Sequence, residues 1–180
     1  MLLHNHRQIL LTTNDQVGLV HPGEKLPWCG GALVSRQHVL TAAHCTRGHL
    51  PATIEVLIGE HDTSDAESDR RTVAIITEHP DYNYTTADMD VSILTLTDSL
   101  DISTTVAPIC LPASTESLYI NKTATVVGWG DTTFEGTPSS ILQEVNVTTM
   151  SNAQCKDSYG SKIQKYVYNI LACIHSISYN

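Results

Sequence analysis

Two short segments carry side chains that could act together on a proton. His44 lies in the segment Thr-Ala-Ala-His-Cys at 41–45, and Asp90 opens the segment Asp-Val-Ser-Ile-Leu at 90–94. An imidazole has a pKa near working pH, so it can take a proton from a weak nucleophile such as a serine hydroxyl. A carboxylate beside it can hold the imidazole in one tautomer. The two residue types therefore suit nucleophilic catalysis by an activated hydroxyl.

The elements that must position these residues are predicted to be strands. Ile54, Val56 and Ile58 alternate with Glu55 and Leu57, and apolar runs of strand length occupy 72–77, 91–97 and 124–127. The period of two continues through Ile141, Val145 and Val147. Many short strands separated by turn residues predict an all-β sandwich or barrel. Ser151 and Gln154 have the spacing of a capping box, which predicts a helix running into Cys155 and Lys156.

Composition excludes several classes of partner. The chain has 180 residues, 41% of them hydrophobic, which is enough for one domain with a core. Its net charge is −9, which argues against a nucleic acid or an anionic membrane, since phosphate binding needs clustered Lys and Arg. No apolar run approaches the about 20 residues that a membrane helix needs. We predict neither a nucleic-acid nor a membrane partner.

The cysteines and the glycosylation signals favour an oxidising compartment. Five cysteines are spread along the chain without a Cys-x-x-Cys pair, which favours disulfides over structural zinc and leaves one cysteine unpaired or joined to another chain. Three Asn-x-Thr triplets predict glycosylation at Asn83, Asn121 and Asn146. We therefore expect secretion, although residues 1–13 lack the apolar core of a signal peptide.

Six segments in a fixed order give a resemblance to a known family. They are Trp-Cys-Gly-Gly-Ala-Leu-Val at 28–34, 41–45, His-Pro-Asp-Tyr-Asn at 79–83, 90–94, Ala-Pro-Ile-Cys-Leu-Pro at 107–112 and Gly-Trp-Gly at 128–130. Together they resemble the chymotrypsin/trypsin family of serine proteases. The resemblance covers 16–173, and the segments 1–15 and 174–180 do not match. It implies a double β-barrel with the first barrel largely present and the second incomplete.

The resemblance assigns roles to the two reactive residues. His44 is implied to be the general base and Asp90 the acid that orients it. On the segment 41–45 alone, His44 could equally be one surface histidine among nine. Asp88 is the rival of Asp90, but the family's acid directly precedes an apolar-small-apolar-Leu run, which selects Asp90.

The resemblance also implies how the cysteines pair and how an acidic loop behaves. Cys29 is expected to bond Cys45 and Cys155 to bond Cys173, which leaves Cys110 unpaired or available for an interchain disulfide. Some members bind calcium in the loop that begins at Glu60. Here Arg70 stands where a second ligating Glu is expected, so we expect a solvated acidic loop, no calcium and no other cofactor.

Catalysis by this chain alone is not expected. The family's nucleophile segment Gly-Asp-Ser-Gly-Gly is absent, and the chain after Cys173 reads Ile-His-Ser-Ile-Ser-Tyr-Asn. Gln-Ile-Leu-Leu-Thr-Thr at 8–13 does not match the family's activated N-terminus. We predict a fragment of a secreted trypsin-like endopeptidase that acts on protein or peptide substrates and meets protein inhibitors. The fragment is predicted to be inactive as written. The alternative is a non-catalytic protease-like protein that binds or regulates a partner.

Overall fold

The computed structural model describes residues 15–65, 69–111, 120–133, 136–151, 153–154, 157 and 173–174. Strands dominate this part of the chain, joined by a one-turn helix α1 (Ala43–Thr46) and a 3-10 helix (Pro51–Thr53). In chain order the strands are β1 (Gln16–Val20), β2 (Cys29–Leu33), β3 (His38–Thr41), β4 (Glu55–Ile58), β5 (Asp69–Glu78), β6 (Ser92–Leu96), β7 (Thr123–Gly128), β8 (Gln143–Met150) and β9 (Cys173–Ile174).

Six of these strands form a closed antiparallel barrel in the order β1-β2-β3-β6-β5-β4. Closure comes from β1 and β4, where Val17 pairs with Ile58 and Val20 with Glu55. A second non-consecutive pair, β3 and β6, matches Val39 with Leu94. A closed barrel leaves no unpaired strand edge, and each of its strands can turn an apolar face toward the interior of the barrel.

Apolar side chains at alternate positions of the strands fill the interior of the barrel. In β6, Ser92, Leu94 and Leu96 are buried while Ile93 is exposed, as a period of two requires. The core around them includes further fully buried side chains from β1, β2, β3 and the chain at β4. These are Leu19, Leu33, Val39, Ile54 and Val56. Burying a side chain of this size stabilises the fold by roughly 1.5–3 kcal/mol, so the barrel has a substantial core of its own.

A second, three-stranded sheet has the order β7-β8-β9. It meets the barrel at Trp129, directly after β7, whose indole is 4% exposed. Trp129 Nε1 donates to the carbonyl oxygen of His61 at 3.3 Å, and the N–H of Thr63 donates to the Ser140 carbonyl at 2.9 Å. The predicted all-β fold is confirmed, with a complete first barrel and three strands beyond it in the described residues.

The capping box that the sequence predicts is present. The N–H of Gln154 donates to Ser151 Oγ at 3.2 Å, and the N–H of Ser151 donates to Gln154 Oε1 at 2.9 Å. Cys155 and Lys156, into which the helix was expected to run, lie outside the described residues. Among the residues that are described, no helix has the length and apolar character needed to span a membrane.

Candidate active site

The pairing of β3 with β6 brings the two candidate residues to one rim of the barrel. Thr41, the last residue of β3, is the register partner of Ser92, the first residue of β6. His44 follows Thr41 by three residues, and Asp90 precedes Ser92 by two. Because the strands are antiparallel, the chain leaving β3 and the chain entering β6 must lie side by side.

A disulfide and a hydrogen bond anchor the helix that carries His44. Cys45 in α1 is bonded to Cys29 at the start of β2, with a Cα–Cα distance of 6.2 Å. Thr41 Oγ1 donates to the Gly30 carbonyl at 2.8 Å. The helix has one turn and no side-chain cap, so it depends on these tertiary contacts. The predicted Cys29–Cys45 disulfide is confirmed.

Asp90 contacts His44 with both carboxylate oxygens. Asp90 Oδ2 lies 2.6 Å from His44 Nδ1, and the backbone N–H of His44 donates to Asp90 Oδ1 at 2.8 Å. An ionised carboxylate only accepts, so Nδ1 is the donor to Asp90, and in the neutral imidazole this assignment leaves the lone pair on Nε2. The imidazole is 62% exposed and the carboxylate 17%. The imidazole is thus the solvent-facing member of the pair, and the carboxylate is the shielded one.

His44 Nε2, the ring nitrogen that does not face Asp90, accepts no hydrogen bond from the described residues. His44 Nε2 lies 3.4 Å from Cys45 Sγ, but a disulfide sulfur has no proton to donate. The sulfurs of Cys29 and Cys45 and the His44 ring form a compact group that resembles a metal site. Because the two sulfurs are bonded to each other, they offer no thiolate to a metal.

Asp88, the sequence rival of Asp90, has a different environment. Its Oδ2 accepts a hydrogen bond from Thr86 Oγ1 at 2.6 Å, while its Oδ1 is buried without a partner among the described residues. Ala87 and Met89 on either side of it have φ values of 54° and 53°, a region that non-glycine residues rarely adopt. The backbone therefore adopts the left-handed conformation twice just before Asp90, which contacts His44.

Two aromatic residues of the same loop lie near the pair. Arg47, next to α1, places its guanidinium 3.9 Å from the centroid of the Tyr84 ring. Burial, and then the negative charge of Asp90, raise the pKa of Tyr82 above its ordinary value. The contact between Arg47 and Tyr84 shows that the loop at 79–89 packs beside the end of the histidine helix.

Two buried hydroxyl residues near the pair, Thr46 and Ser92, were not predicted from sequence. Thr46 Oγ1 and Ser92 Oγ lie 3.1 Å apart, and both residues are 1% exposed. The available signal was their spacing, because each follows one of the candidate residues by two positions.

The remaining candidate residues make no hydrogen bond to His44 or Asp90 in the part of the chain that the structure describes. Cys110 is free and exposed, Asn83, Asn121 and Asn146 are exposed, and the glycosylation of these asparagines stays a prediction. Cys155 and the side chain of Cys173 lie outside the described residues. Arg70, at the expected second calcium ligand, pairs instead with Glu55 at 2.9 Å. The expectation that the loop at Glu60 binds no calcium likewise stays a prediction.

Comparison with known proteins identifies the class. The family model described as Trypsin matches residues 12–177. Serine proteinase stubble of Drosophila melanogaster is 37% identical over 150 residues, covering 81% of this chain and 19% of that protein. The venom serine protease of Polistes dominula is 35% identical, covering 81% and 54%, and trypsin-1 of Astacus astacus is 34% identical, covering 77% and 60%.

The chain belongs to the trypsin family of serine proteases. It spans less than two-thirds of the length of each of these three relatives.

Proposed function

We propose that this chain is the base-and-acid part of a secreted, trypsin-like serine endopeptidase. His44 is the general base that deprotonates a serine nucleophile, and Asp90 orients it and stabilises the imidazolium that forms. One observation carries the proposal: Asp90 binds Nδ1 and the backbone N–H of the same histidine, at 2.6 and 2.8 Å. This double contact fixes the ring so that Nε2 is the accepting nitrogen.

The endopeptidase activity is proposed for the whole protein. The 180 residues contain no Gly-Asp-Ser-Gly-Gly segment, so a base and its acid are present without a serine in a glycine-rich turn. Losing the nucleophile in a related triad enzyme costs about 10⁶ in turnover. We therefore expect the isolated 180 residues to be inactive, and we expect protein or peptide substrates for the whole protein.

Secretion and glycosylation belong to the same proposal. The Cys29–Cys45 disulfide requires an oxidising compartment to persist. The exposed Asn83, Asn121 and Asn146 could accept glycans there without disturbing the core. The exposed thiol of Cys110 is available for a disulfide to another chain.

The test compares the full-length protein, before and after limited tryptic activation, with the 180-residue chain. Hydrolysis of peptide amides and labelling by a fluorophosphonate are measured for both. We expect the activated full-length protein to do both and the 180 residues to do neither. Asp90→Asn in the full-length protein should lower kcat by about 10⁴, the loss known for this change in a related triad enzyme, and His44→Ala should lower it at least as far.

Two outcomes would contradict this proposal. Labelling or turnover by the 180-residue chain would show that it holds a nucleophile of its own. A folded, activated full-length protein without turnover or labelling would instead support the non-catalytic protein that binds or regulates a partner.

A further inference from the structure

We propose that Thr46 and Ser92 are positioning residues that hold His44 against Asp90 through a buried hydroxyl contact anchored on Glu78. The inference rests on the proposed function above, because it concerns how the base and its acid keep their distance. Neither hydroxyl touches the imidazole or the Asp90 carboxylate in the described contacts, so both residues would act through the elements that carry the pair.

Thr46 and Ser92 occupy equivalent positions relative to His44 and Asp90. Thr46 follows His44 by two residues at the end of α1, and Ser92 follows Asp90 by two residues at the start of β6. Their hydroxyl oxygens are 3.1 Å apart, and each residue is 1% exposed. The helix and the strand are therefore joined twice, once at the surface by His44 and Asp90 and once in the interior.

The interior contact continues to a third strand. Thr46 Oγ1 also lies 3.2 Å from Glu78 Oε1, at the end of β5, and 3.2 Å from the Ala43 carbonyl. Glu78 is the register partner of Ser92, and Ser92 Oγ donates to the Thr77 carbonyl at 3.3 Å. The single Thr46 hydroxyl proton has three acceptors within reach, so this buried hydroxyl is satisfied.

The surface contact needs such support. The imidazole of His44 is 62% exposed, and water competes there for the hydrogen bonds to Asp90. α1 lacks a side-chain cap, and Asp90 follows a loop that contains two left-handed residues. Hydrogen bonds in the dry interior are stronger and costly to leave unmade. The contact between Thr46, Ser92 and Glu78 is thus well placed to keep the two elements in register.

The test uses the full-length protein and does not require turnover. A strong hydrogen bond from Nδ1 to a carboxylate gives a far-downfield proton resonance, and the rate at which this proton exchanges with solvent reports how often the pair opens. Losing one buried hydrogen bond should speed that exchange about 5- to 30-fold in Thr46→Val. Ser92→Ala should have a smaller effect, because Thr46 can still donate to Glu78. Thr46→Ser keeps the hydroxyl and should restore slow exchange.

Thr63→Val is the matched control, since Thr63 is also 1% exposed and its hydroxyl donates to the distant Ser140 carbonyl. It should leave the exchange of the His44 proton unchanged. If Thr46→Val and Ser92→Ala both fold and exchange at the wild-type rate, or if Thr63→Val speeds exchange equally, the positioning role is overturned. A wild-type protein without any downfield His44 resonance would instead overturn the His44–Asp90 pair itself and the inference with it.

Discussion

Carboxylates in this protein fix the backbone around them as well as carry charge. Asp90 Oδ1 accepts the N–H of His44, and Asp62 Oδ1 accepts the N–H of Ser64 at 2.9 Å. Asp62 also accepts the hydroxyl of Ser64 at 2.6 Å, as an aspartate at the start of a tight turn commonly does. A carboxylate oxygen thus holds a backbone N–H that is distant in the chain at Asp90 and two residues ahead at Asp62.

The turn at Asp62 gives a pH-dependent prediction. The hydroxyl and then the N–H of Ser64 lower the pKa of Asp62 below 3.8, so the folded state favours the ionised form. The resulting stabilisation is fully present above the ordinary pKa of about 3.9 and is lost as pH falls through the lower folded value. Ser64→Ala should raise the pKa of Asp62 toward its ordinary value, as measured by NMR titration of the carboxyl carbon.

Ser103→Ala is a control for that experiment. Its hydroxyl accepts the N–H groups of Thr105 and Val106 in another turn, so the titration of Asp62 should not change. An Asp62 that titrates at the same pH with and without the Ser64 hydroxyl would contradict the proposed cause of its shift.

At the scale of elements, the close approach of β2 and β3 depends on a glycine. A methyl group added at Gly31 would lie 2.9 Å from the Leu40 carbonyl oxygen and 2.9 Å from Val39 Cγ1. Both are parts of a packed strand that cannot move aside freely. The spacing of these two strands therefore sets where Cys29 and the helix bonded to it stand.

Gly31→Ala is expected to destabilise the protein by about 1–3 kcal/mol through overpacking. The free energy of unfolding in urea measures this. Gly130→Ala is the matched control, because nothing lies within 4 Å of a methyl group added there. Equal stability of the two variants would show that β3 yields to the added methyl group.

The strands β4 to β8 were predictable from sequence because alternation is a local property, whereas β1, β2 and β3 were not predicted. The runs at 54–58, 72–77, 91–97 and 124–127 correspond to β4, β5, β6 and β7. Strand order was not predictable from alternation, which says which face is buried but not which strand is the neighbour. The helix α1 also escaped prediction, because four residues without a capping side chain carry no periodic signal.

The candidate site, like the fold, was predictable from sequence only in part. Family motifs pointed to His44 and Asp90, and the register of β3 with β6 explains how they meet. The equal spacing of Thr46 and Ser92 from His44 and Asp90 was not enough to predict their contact, because the contact depends on a pairing between residues far apart in the chain. A buried hydroxyl carries no sequence motif until its partner is known.

At the scale of the whole molecule, Trp129 joins the second sheet to the barrel. A methyl group added at Gly18 in β1 would meet Trp129 Cζ3 at 3.3 Å, so the indole lies directly over that strand. Its Nε1 donates to the His61 carbonyl at the other side of the junction. One side chain thus packs against the barrel and bonds to the loop that follows β4.

Trp129→Ala should lower the free energy of unfolding by about 3–5 kcal/mol, because it leaves a cavity and removes one of the two hydrogen bonds that the His61 carbonyl accepts. Denaturation followed by circular dichroism measures the change. Leu50→Ala is the control, since Leu50 is 68% exposed and its loss should cost little. A loss below about 1 kcal/mol for Trp129→Ala would show that the site can collapse around the cavity.

The closure of the barrel has a consequence for biosynthesis. The pairing of β1 with β4 needs only the chain as far as Ile58, whereas the pairing of β3 with β6 must wait until Leu96 has been made. Chains are synthesised from the N-terminus at about 5–20 residues per second, so Cys29 and Cys45 are both available for oxidation before the last strand arrives. His44 and Asp90 lie on opposite sides of that last interface. We therefore expect the contact between His44 and Asp90 to form only after β6 has paired with β3.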